Sequence, residues 1–128
     1  DPTVEVVAGS EECWLFVKVT EEGTFVANKV TYSIDSANWS QLETADGTKI
    51  TNVYYKKVTA QDASKGVTYT VLEGDKVTVS DKLTKDELED VTTSVKLSFQ
   101  AAAVQAVGFD EAFDAFKEVA SSLGVTLP

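Results

Sequence analysis

The chain has 128 residues, 43% of them hydrophobic, with 21 acidic against 11 basic side chains and a formal charge of −10. That length bounds a single domain with one core, and the charge excludes nucleic acid and anionic lipid as electrostatic partners, because both need clustered cations. Histidine, arginine and methionine are absent and Cys13 is the one cysteine, which removes Ser-His and Cys-His nucleophile pairs, imidazole zinc sites and bidentate arginine clamps.

Short β-branched and apolar runs separated by Gly, Asp, Asn and Ser clusters predict an all-β sandwich or barrel. Asp1 to Val7 reads as a first strand, with Pro2 tolerated at its start, and Ala8-Gly9-Ser10 as a turn. Glu12 to Val19 is the strongest strand. Cys13, Leu15, Val17 and Val19 share one face, and Trp14, Phe16 and Lys18 the other. Cys13 lies in this apolar run with no cationic neighbour, so it reads as a small buried hydrophobe, not a reactive thiol. After Glu21-Glu22-Gly23, Thr24 to Ile34 reads as extended. A short strand is expected over Asn38 to Leu42, a tight hairpin turn at Asp46-Gly47, and a strand over Thr51 to Thr59. Asp62 to Gly66 reads as a polar loop. Val67 to Leu72 and Lys76 to Val79 flank Glu73-Gly74-Asp75 in a hairpin pattern.

Two segments carry helical signals. Thr84-Lys85-Asp86-Glu87 is a capping box ahead of Leu88 and Val91, giving a helix over about 84–91. Ala112, Phe113, Phe116, Val119, Ala120 and Leu123 form one stripe of a helix over about 110–123, with Gly124 as its stop. Between them, Val95, Leu97, Phe99, Ala101 and Ala103 alternate inward, while Ala102, Val104 and Ala106 make the outer face apolar as well. Such a strand needs cover on both faces, so the C-terminal helix is expected to fold back over it, near Trp14 and Phe16. The expected architecture is mainly β, a jelly-roll-like antiparallel β-sandwich with one short helix and one C-terminal amphipathic helix packed on it, in a single domain over 1–128. No apolar run approaches the ~20 residues of a membrane span.

The acids raise two chemistries. Asp86, Glu87, Glu89 and Asp90 supply the residue types of a glycosidase acid and base, yet adjacent acids on a polar helix face read as solvated. Calcium needs only oxygen ligands. Asp75 and Asp81, and the stretch Asp35 to Asn38, are its candidates, although neither stretch has the EF-hand spacing. No other cofactor is expected. Trp39 with Tyr54 or Tyr55 is the candidate sugar-stacking set, Trp39 being flanked by polar Asn38 and Ser40; the competing reading is core or cross-strand packing. Asn38-Trp39-Ser40 is also formally a glycosylation sequon. No serine has a visible base, and no enzyme activity is expected.

The blocks Asp1-Pro2-Thr3-Val4, Ala8 through Val19, Val53-Tyr54-Tyr55 and Phe99 through Phe109 follow one another as in a known group. The chain resembles exported Gram-positive proteins with a SipW-dependent type of signal peptide, related to the TasA and camelysin group of biofilm-matrix proteins. The resemblance implies a jelly-roll-like sandwich, export to the cell surface and a role in extracellular fibres or matrix. It further implies that a signal peptide and another strand precede the Asp-Pro-Thr block, so that this chain is a trimmed piece whose sandwich lacks a strand. Members of the group polymerise by passing an N-terminal strand to a neighbour. Camelysin is described as a protease, and no residue here supports that activity. The expected partners are copies of the chain itself or other surface polymers, met by strand pairing at an open edge. The residues expected to form assembly surface or core are Thr3, Val4, Val6, Trp14, Phe16, Phe99 and Val104, within the segments Thr3 to Val7 and Val95 to Val104.

Overall fold

A computed structural model describes residues 2–23 and 29–128, with the side chains of residues 75 and 90–94 outside the description. The expected strand residues Asp1 and Thr24 to Asn28 lie outside the described residues. The elements in order are β1 (Thr3–Val6), β2 (Cys13–Glu22), β3 (Val30–Ile34), β4 (Ser40–Glu43), β5 (Lys49–Val58), α1 (Ala60–Lys65), β6 (Val67–Thr70), β7 (Leu72–Val79), α2 (Lys85–Ser94), β8 (Lys96–Gln105) and α3 (Ala112–Phe116). All strand pairing among the described residues is antiparallel. The expected antiparallel, sandwich-like β architecture is what the chain adopts, with three short helices among the described residues where two were expected.

The organising sheet has the order β4-β5-β2-β8. β2 lies inside it and is apolar on both faces, with Phe16 and Val17 almost fully buried on opposite sides. Such a strand is stable only between two covering layers. On one face, Trp14, Phe16, Leu42 and Val53 pack with Ala112, Ala115, Phe116, Ala120 and Leu123 of the C-terminal segment. On the other, Cys13, Leu15, Val17 and Val19 pack with Val6, Trp39, Ala63, Tyr69 and Val71. That second layer is built from the ribbons β1-β6 and β3-β7. The C-terminal segment therefore folds back over Trp14 and Phe16 as its stripe required. The rings of Phe16 and Phe116 stand 5.1 Å apart, and Trp14 Nε1 donates to the Phe109 carbonyl at 3.0 Å.

Four local readings are corrected. Asp62 to Gly66 is not a loop but the greater part of α1, whose cap Thr59 accepts from the Asp62 amide and which ends at Gly66, φ 84°. A six-residue helix is too short to show a stripe. The Glu73-Gly74-Asp75 run makes no hairpin. β7 continues through it, pairing with β3, while β6 pairs with β1. Two steps along β3, Tyr32 to Ile34, match five along β7, Val77 to Leu72, so the glycine (φ 68°) serves a bulge. The C-terminal helix is regular only over Ala112–Phe116. Beyond it, Glu118 N–H donates to Ala115 O and Val119 N–H to Phe116 O, tighter three-residue bonds that still keep Ala120 and Leu123 buried. Asn38 belongs to a turn, with its amide donating to Asp35 O at 3.1 Å, and the short strand begins at Ser40. The capping box at Thr84 and Glu87 is present as expected, and α2 runs on to Ser94.

Candidate assembly edge

The two segments expected to form assembly surface or core become β1 and β8, and both end a sheet. β8 is the last strand of the four-stranded sheet and β1 is half of a two-stranded one. All ten residues of β8 pair in continuous register with β2, from Cys13↔Gln105 to Glu22↔Lys96. Its other side has no strand partner among the described residues. From Leu97 to Phe109 the chain carries no charged side chain. Edge strands are ordinarily protected by shortness, bulges or charge. β4, at the opposite edge, has such protection: it is four residues long, has a register shift against β5, and carries Glu43 in an ion pair with Lys49 at 3.2 Å. β8 has none of these along its middle.

A groove of about 520 Å³ runs beside β8, lined by Glu5, Val6, Val7, Gly9, Ser10, Glu11, Cys13, Leu15, Ala103 and Gln105. Its position follows from the layers. Ala101 and Ala103 point to the same face as Val17 and Leu15, their partners on β2. Those β2 residues are covered by the second layer, whereas Ala101, Ala103 and Gln105 are exposed. The covering layer ends at β1 before it reaches β8. Val7, 67% exposed, stands on the groove's β1 side. The turn after β1 is held by α1, with Gly9 N–H donating to Ser64 O at 2.9 Å and Ser10 N–H to Ala63 O at 3.2 Å.

The named residues divide between core and surface. Val6, Trp14 and Phe16 are buried, Val4, Phe99 and Val104 are half-buried, and Thr3 is exposed. Phe99 joins the layer of Val19 and Tyr69, and Val104 joins that of Trp14 and Phe116. The accessible members of the edge are Ala101, Ala103 and Gln105, none of them among the residues expected to form the assembly surface. The expectation that Ala101 and Ala103 point inward is corrected: they share a face with Leu97 and Phe99, but both are exposed, because the covering layer stops before it reaches them and the alternation of one strand holds no information on that. Cys13 is buried as expected, and burial, followed by the nearby Glu12 carboxylate, raises its pKa.

The expected exposure of Trp39 is corrected. It is 3% exposed, its Nε1 donates to Thr70 O at 2.9 Å, and its ring meets Tyr69 edge-on. Tyr54 and Tyr55 pack on opposite faces of the sheet, so the three rings make no stacking platform. The Asn38 side-chain amide donates to Asp35 Oδ2 and Thr70 O, holding the sequon asparagine within the fold. Asp35 accepts from Ala37 N–H, Asn38 and Thr70 Oγ1, so its carboxylate organises a turn. Asp81 is exposed, the side chain of Asp75 lies outside the described residues, and no group of metal-ligating side chains occurs among the described residues. On α2, Glu87 accepts from the Thr84 amide and pairs with Lys29 at 3.0 Å, and both lower its pKa, the reverse of what a general acid needs. Among the described residues, no helix is long and apolar enough to cross a membrane.

No family model matches this chain, and no curated protein or solved structure matches it either.

Proposed function

We propose that this chain is a secreted or surface-attached structural and adhesive subunit, a biofilm-matrix or fibre component whose partners are its own copies or other surface polymers, met by strand pairing. The carrying observation is the edge formed by β8, ten residues long, regular, without charge along its middle and bordered by a groove of mixed polar and apolar lining. An added strand gains main-chain hydrogen bonds along such an edge and register from alternate side chains. The resemblance in the opening and closing sequence blocks supports the exported, matrix-forming part of the reading. The function so read is physical contact, and no catalytic residue is assigned. Sedimentation velocity and electron microscopy of the chain at its highest soluble concentration test it. Concentration-dependent larger species are expected. A single monomeric species that never binds another surface polymer overturns the reading.

A further inference from the structure

We infer that the strand lying along β8 is β8 of a second copy, antiparallel about a two-fold axis normal to the sheet, joining two four-stranded sheets into one. This rests on the assembly reading above and names the partner at its edge.

Charge is the first argument. Each copy carries −10, so two copies repel wherever their acids face one another. The uncharged run from Leu97 to Phe109 lets two β8 strands pair without a carboxylate on either strand, the groove's Glu5 and Glu11 lying on β1 and in the turn after it. A charged foreign peptide finds no counter-charge along this part of the strand.

Parity is the second argument. A two-fold axis normal to the sheet keeps each face on its own side, so only residues that point the same way sit opposite one another. With the axis at Ala102, Ala101 lies opposite the partner's Ala103, Gln100 opposite the partner's Val104, and Phe99 opposite the partner's Gln105. Lys96 falls opposite the partner's Gly108, beyond the end of that strand. No like charges oppose one another in this register, and small alanines occupy its centre.

The groove is the third argument. Both copies bring it to the same face of the joined sheet, one on each side of the seam. Ala101 and Ala103, left bare where β1 stops short, then lie at the seam between two covering layers. The β4 edge offers none of this, since its four residues, register shift and ion-paired Glu43 oppose pairing. An isologous pair closes on itself, so β8 makes a dimeric unit, and extension into a fibre uses other surfaces.

The test combines sedimentation velocity with amide hydrogen exchange on the full chain. A monomer–dimer equilibrium is expected, with exchange across 97–105 slowed on dimerisation and exchange across 40–43 unchanged. Replacing Ala101→Lys and Ala103→Lys together is expected to weaken dimerisation at least tenfold. The melting temperature should hold, because both side chains are exposed. Ser40→Lys, on the β4 edge, is expected to leave dimerisation unchanged. The exchange measurement needs no variant, so it decides the matter even if the lysines disturb folding. Association that survives the lysines with 97–105 unprotected overturns the β8 pair and leaves the assembly reading standing. A single monomeric species at every concentration overturns the β8 pair, and with it self-assembly.

Discussion

At the scale of single residues, Phe113 and Phe116 sit on one helical stripe and look equivalent in sequence. Packing separates them. Phe116 is fully buried against Phe16, whereas Phe113 is half-buried with the Lys117 ammonium 5.1 Å from its ring. Phe116→Ala is expected to lose about 3–5 kcal/mol, the range for removing a buried ring and leaving a cavity. Phe113→Ala removes a ring that is only partly withdrawn from water and is expected to lose less than ~2 kcal/mol. Urea denaturation of the two variants checks this, and equal losses would contradict the packing. The stripe was legible because the 3–4 spacing is local. Depth was not, because it depends on which side chain of a distant strand stands opposite. Trp39 teaches the same lesson in reverse. Its polar neighbours Asn38 and Ser40 suggested solvent, but its cover comes from Thr70 and Tyr69, thirty residues away in sequence.

At the scale of elements, the α2 cap, a signal confined to one turn, was readable, whereas the α1 cap at Thr59 and the pairings set by partner choice were not. The α2 cap belongs to the first kind. Glu87 takes the Thr84 amide hydrogen bond and the Lys29 ammonium, and its pKa lies below the ordinary value of 4.5. A depressed carboxylate stabilises fully above its unfolded-state pKa and loses that contribution as pH falls through its folded-state pKa. Acidification below 4.5 is therefore expected to open the cap, seen as faster exchange of the Thr84 amide than the intrinsic rate change explains. Glu87→Gln should abolish this acid step, and an unchanged acid profile in that variant would contradict the assignment. The β6 to β7 passage belongs to the second kind. Val71 N–H donates to Pro2 O at 3.1 Å and its carbonyl accepts from Asp35 N–H at 2.8 Å, so the chain changes partner at that residue. A glycine that looks like a hairpin tip instead sits within a bulge, because β1 and β3, both earlier in the chain, take the pairing a hairpin would have used.

At the scale of the whole molecule, repulsion between copies opposes the pairing that the β8 edge permits. Raising ionic strength from 0.01 to 0.15 M shortens the screening length from about 30 to about 8 Å. Association is expected to tighten over that range by sedimentation equilibrium, because screening weakens repulsion while leaving main-chain pairing largely intact. Association that weakens with salt would mean that the contact is held by ion pairs. The β-sandwich class was legible in the strand alternation, and the double-faced character of β2 required two covering layers, whereas the cover expected on both faces of β8 stops short of Ala101 and Ala103. The extent of each layer was not legible. Where β1 ends relative to Ala101 and Ala103 is a property of assembled sheets, and no periodicity within one strand encodes it.

The register of β2 against β8 also governs the order in which the molecule can form. β2 is synthesised before β8, and the Trp14 to Phe109 hydrogen bond spans 95 residues. Loop closure of that length makes for slow folding. Until β8 and the segment that follows it emerge, the most apolar strand has an open flank and an uncovered face. A nascent or truncated chain thus presents to its surroundings the stripe of Trp14 and Phe16 that the finished protein keeps dry.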